Sequence, residues 1–133
     1  MLTGQEIFNK SVSGLLNQGK QSNDEFGDSC MYRGNEEGSK CAIGHLIDDN
    51  LYTPKIEGHT FRCLVGTEPV LLTSCGIDVE YDNVFELCIM LQIIHDEYNS
   101  TDSPFNQYII RQCTALADTK GFDKTVLQNW EAN

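Results

Sequence analysis

Between Asn83 and Tyr98 the chain puts an apolar or aromatic residue at nearly every position from which a helix could face a neighbour. Val84, Leu87, Cys88, Leu91, Ile94, His95 and Tyr98 recur at helical intervals and form one stripe, while Phe85, Ile89 and Ile93 form a second. A helix that is apolar almost all round belongs inside a core, with other elements packed about it. At 133 residues, 40% of them hydrophobic, the chain has single-domain length and enough apolar surface to build that core without staples. One domain, 1–133, is therefore expected.

The remaining periodic segments are helical too. Thr3-Gly4-Gln5-Glu6 has the form of a capping box ahead of Ile7, Phe8, Val12, Leu15 and Leu16, which predicts a helix of about four turns ending near Gly19. Thr67-Glu68-Pro69 reads as a helix entry with Thr67 as cap. Ser103-Pro104 starts another helix, carrying Phe105, Tyr108, Ile109, Cys113 and Leu116 inward and stopping before Gly121. A last short helix follows Asp123, and Ser39 is placed to cap a short helix through Cys41 and His45. The segment His59–Val65 fits a strand or a helical turn equally. The expected class is mainly α (α+β): a compact helical domain around a central helix at about 83–98, with a small β element near residues 30–45.

Charge narrows the function. Twenty acidic residues against nine basic ones give a net charge of −11, and no Lys or Arg occurs from Cys63 to Ile110. Such a field repels nucleic acid and anionic membranes and attracts basic protein surfaces. The expected partner is the basic surface of another protein, met by Asp24, Glu25, Glu36, Glu37, Glu68, Asp78, Glu80, Asp82 and Glu86, with no direct nucleic acid and no membrane. No segment approaches the roughly 20 apolar residues of a membrane span, and the first residues lack a basic-then-apolar leader. The expected location is the cytoplasm, where six cysteines stay reduced.

The densest chemistry lies in Cys30-Met31-Tyr32-Arg33-Gly34 and Gly38-Ser39-Lys40-Cys41-Ala42-Ile43-Gly44-His45-Leu46-Ile47. Tyr32, Arg33 and Lys40 are the residue types that hold a small anion or nucleotide, by stacking and bidentate hydrogen bonds. Arg33 can instead pair with Asp28 or Glu36. Cys41 and His45 are four apart, as are His59 and Cys63, and two such pairs make a tetrahedral zinc set; the same residues could form a thiol site, with Cys41 lowered by a helix start and Lys40. The alternative is a cramped corner in which these thiols and imidazoles only pack. His95 reads as a satisfied core histidine that Asp96, its helical neighbour, is poorly placed to orient. Cys88 and Cys113 read as core. No cofactor and no catalytic residue is assigned.

The cassette, together with Leu91-Gln92-Ile93-Ile94-His95-Asp96, resembles a group of small, largely uncharacterised proteins carried by bacteria and their phages. Asp48 stands where such relatives often have proline. The resemblance implies a context rather than an activity: an accessory product of a mobile element that antagonises host defence, as anti-CRISPR proteins do. The expected function is thus an acidic phage-type protein that binds and inhibits a nucleic-acid-handling defence complex of the bacterial host. Sequestration of a nucleotide signal is the alternative.

Overall fold

The computed structural model describes residues 1–27, 29–100 and 103–131. Helix α1 (Gly4–Gln18) begins with the expected capping box: the Glu6 N–H donates to the Thr3 hydroxyl and the Thr3 N–H donates to the Glu6 carboxylate. It ends where Gly19 turns left-handed at φ 75°. Then come α2 (Phe61–Thr67), α3 (Pro69–Ser74), α4 (Asp82–Asp96), α5 (Phe105–Lys120) and α6 (Thr125–Glu131). The ambiguous segment is helical from Phe61 onward, because the Thr60 hydroxyl accepts the Cys63 N–H and starts α2. Thr67, expected to cap α3, belongs to α2 and donates its hydroxyl to the Cys63 carbonyl; Glu68 holds the cap position, with Pro69 next.

Mainly α is the class. The small β element expected at 30–45 does not form: among the described residues β pairing is limited to an isolated bridge between Asn23 and Cys30. The short helix expected from Ser39 is also absent, because the Ser39 hydroxyl turns back to the Glu36 carbonyl at 2.7 Å. Only a 3-10 turn at Gly44–Leu46 forms, and a second at Pro54–Ile56. The backbone from Lys20 to Thr60 is therefore irregular, and side chains take over the hydrogen bonding that a ladder would supply.

The core is one cluster in which α1 packs against α4, α5, α6 and the Gly44–Leu46 turn. α1 contributes Ile7, Phe8, Val12, Leu15 and Leu16, and α5 contributes Phe105, Tyr108, Ile109, Cys113 and Leu116, as their periodicity predicts. The first stripe of α4 is buried at Val84, Leu87, Cys88, Leu91 and His95. Its second stripe is not: Phe85 and Ile89 are half-buried and Ile93 is 47% exposed. Hence α4 is central on one face only, and the other face lines the groove described next.

Candidate functional site

The cassette is fastened to α1 by Ser11 and Gln18. Ser11 donates its hydroxyl to the Ala42 carbonyl at 2.9 Å in the buried interior. The Gln18 amide donates to the Lys40 carbonyl, and its oxygen accepts the Lys40 N–H. Since that same oxygen lies 3.0 Å from His45 Nε2, His45 donates from Nε2. Gly14 makes room for the ring. Burial pushes His45 down to about 4, helped by the charge of Lys40.

Tyr32 and Arg33 serve the interior. Tyr32 is 5% exposed, and its hydroxyl donates to the His59 carbonyl at 2.7 Å. Arg33 donates to the carbonyls of Tyr32, Gly44 and Ile47 and to the Asp49 carboxylate, with its guanidinium 4.8 Å from the centre of the Tyr52 ring. Lys40 pairs with the same carboxylate. On the other side Glu57 accepts the Tyr32 and Arg33 N–H groups and the Tyr52 hydroxyl. Arg33 and Glu57 thus act as a two-sided clip on irregular backbone. The partner of Arg33 is Asp49 rather than Glu36, which pairs with Lys20; Asp28 lies outside the described residues.

The residues expected to bind zinc are spread out: Cys41 is buried, His45 half-buried, and His59 and Cys63 exposed. Burial pushes the Cys41 thiol up to about 12, which removes nucleophilic character. Among the described residues the set of potential ligands within 4.8 Å of one another is Cys30, His95 and Asp96. This set does not fit a metal as it stands. The Ser22 N–H donates to His95 Nε2 at 3.0 Å, so the ring proton sits on Nδ1, where it is given to Asp96 Oδ1 at 2.8 Å. Neither nitrogen offers a lone pair toward Cys30, whose thiol burial and then the Asp96 charge push up to about 12. The set is not a nucleophile–histidine–carboxylate relay either, because His95 is 0% exposed and its Nε2 is taken by backbone.

His95 is the satisfied core histidine expected from its stripe, but the expectation that Asp96 cannot orient it is wrong. Asp96 ends α4, where its side chain can fold back over the preceding residue. Gln21 closes the same helix end, its amide donating to the carbonyls of His95, Asp96 and Tyr98. No local pattern marks this cap, since Gln21 is 74 positions from His95.

Between the chain at 29–32, the chain at 58–62 and the outer face of α4 runs an open groove of about 750 Å³. Met31, Phe61, Ile89 and Ile93 make it apolar, and Gln92, Asp96 and Arg62 bring polar groups to it. Gln92 ties the groove to the cassette, accepting the Ile43 N–H and donating to Asp96 Oδ1. No residue type in this face marks a groove in sequence, where Phe85, Ile89 and Ile93 look like core.

The acids expected to meet a partner fall into groups. Glu36, Glu68 and Glu86 hold Lys20, Lys55 and Lys120. Asp24 and Asp78 accept backbone N–H groups of their own turns, from Phe26 and Glu80. Glu25, Glu37 and Glu80 are exposed, and the side chain of Asp82 lies outside the described residues. Comparison with protein-family models, curated proteins and solved structures finds no match to this chain.

Proposed function

We propose that this is a non-catalytic acidic protein that binds and blocks the basic surface of a host protein complex, of the nucleic-acid-handling defence type that the resemblance implies. The observation that supports it is how the chain spends its cations. Of nine Lys and Arg residues, Lys20, Arg33, Lys40, Lys55, Lys120 and Lys124 lie against carboxylates of the chain itself. Arg62 and Arg111 lie over the Phe85 and Tyr108 rings. The surplus carboxylates of the loops, among them Glu25, Glu37 and Glu80, keep their full field for an outside cation. No helix among the described residues is long and apolar enough to cross a membrane. The nucleotide-sequestering alternative would require Tyr32, Arg33 and Lys40 to leave the bonds they make within the fold.

The test uses purified RNA-guided effector complexes of several types with labelled target DNA. Wild-type protein is expected to prevent DNA binding by one of them, less well as salt rises. Reversing Glu25, Glu37 and Glu80 to lysine, which adds two charges each and takes the net charge from −11 to −5, should raise the inhibitory concentration on the order of tenfold and flatten the salt dependence. Undisturbed DNA binding across the panel, or equal inhibition by the triple variant, would overturn the proposal.

A further inference from the structure

The groove on the outer face of α4 has opposite charges at its two ends and an apolar floor between them. Phe85, Ile89, Ile93 and Asp96 follow one another along a single helix face. With 1.5 Å of rise per residue, Asp96 stands roughly 16 Å along the axis from Phe85. At the Phe85 end the Arg62 guanidinium lies 5.3 Å above the ring and lines the groove. Among the described residues no carboxylate lies within the 4.0 Å of an ion pair to it. At the other end the Asp96 carboxylate, 39% exposed, takes the protons of His95 and Gln92 on Oδ1. Those two bonds hold it at the mouth of the groove. Between the ends Ile93 is left 47% exposed by a fold that buries the other stripe of the same helix.

We propose that this groove binds an extended peptide segment of a partner chain about five residues long. An acidic side chain or a terminal carboxylate lies at Arg62, a lysine or arginine at Asp96, and the aliphatic side chain of the middle residue rests on Ile89 and Ile93. Length selects this occupant. An extended strand rises about 3.3 Å per residue, so its first and fifth residues stand about 13 Å apart and the reach of a long end side chain covers the rest, whereas a free amino acid reaches one charged end but not the other. Alternate side chains of such a segment face the groove and give it selectivity. None of Glu25, Glu37 and Glu80 lines the groove, so the proposal goes beyond the electrostatic reading above and can stand or fall without it.

Fluorescence anisotropy at 0.15 M salt, with labelled and end-blocked peptides, tests it. Since alternate side chains of an extended peptide share a face, Lys-Ser-Leu-Ser-Glu should bind at least tenfold more tightly than Lys-Ser-Leu-Ser-Lys or Glu-Ser-Leu-Ser-Glu. Arg62→Glu should transfer the preference to the doubly basic peptide, and Arg62→Gln, which keeps a neutral stem over Phe85, should abolish the preference for the mixed peptide over the doubly basic one while leaving its preference over the doubly acidic one. Ile93→Ser should weaken all three. Equal affinities among the peptides, no binding to any of them up to millimolar concentration, or an unaltered preference in both Arg62 variants would each overturn the proposal.

Discussion

Gly14 sets how closely the cassette can approach α1. A Cβ built there would stand 2.4 Å from His45 Nδ1. Replacing a glycine within a helix by alanine ordinarily gains about 1 kcal/mol; overpacking against a fixed side chain costs about 1–3 kcal/mol. His45 is fixed, being half-buried and bonded to Gln18, so the clash should prevail. Gly14→Ala should lower stability in urea by a net of up to ~2 kcal/mol, and adding His45→Ala should recover most of the loss. A single variant as stable as wild type would show that the ring swings away freely. Arg33 makes the companion case. Arg33→Lys keeps the charge but cannot reach three carbonyls and a carboxylate at once, and hydrogen bonds to charged groups are worth about 1.5–3 kcal/mol each. A loss of at least ~2 kcal/mol is expected in the same unfolding experiment, and a loss below ~0.5 kcal/mol would deny Arg33 its clip role. The sequence showed that Tyr32 and Arg33 were chemically unusual but not which way they faced. That depends on which carbonyls an irregular chain leaves without partners, and those belong to residues up to 14 positions away.

At the level of elements, the helices were legible where their signals are local. The capping box at Thr3 and Glu6 and the stops at Gly19 and Gly121 are set by residues within one turn of the ends they define. The β element at 30–45 was misread because its extended look and its glycines reflect close approach rather than strand pairing: a Cβ at Gly44 would meet the Tyr32 carbonyl oxygen at 2.4 Å. α4 was read correctly in extent to within two residues and incorrectly in burial, because apolarity reports that a face is kept from water without saying what covers it. Its two stripes should therefore respond differently to mutation. Leu91→Ala, on the buried face, should cost about 2–5 kcal/mol by leaving a cavity. Ile93→Ser, on the groove face, should cost less than about 1 kcal/mol, since much of its surface is already in water. Urea midpoints at matched m-values measure both, and an Ile93→Ser penalty equal to that of Leu91→Ala would mean that the groove is closed in solution.

For the whole molecule, burial of titratable groups bounds the pH range in which the fold is most stable. His45 is held down to about 4 by burial against an ordinary 6.5. The unfolded chain therefore binds a proton that the folded one refuses, and stability declines as pH falls from about 6.5 toward 4, by at most ~3 kcal/mol with partial exposure reducing it. The thiols act at the other limit. Burial pushes Cys41, Cys88 and Cys113 from an ordinary 9.0 up to about 12, so above pH 9 the unfolded chain releases protons that the folded chain keeps, and stability declines again. Each thiol contributes up to ~1.4 kcal/mol per pH unit in that window, so three buried thiols make the alkaline limb the steeper one. Denaturation at pH 5, 7.5 and 10 should show a maximum at the middle value. His45→Gln should flatten the acid limb between 6.5 and 4 without touching the alkaline limb, while Cys88→Ala and Cys113→Ala, though less stable throughout, should make the alkaline limb shallower. An acid limb that survives His45→Gln would assign that loss of stability to the carboxylates, whose own window lies lower: the Glu6, Asp49 and Asp123 side chains are held below their ordinary values by hydrogen bonds to Thr3, to Lys40 and to Thr125.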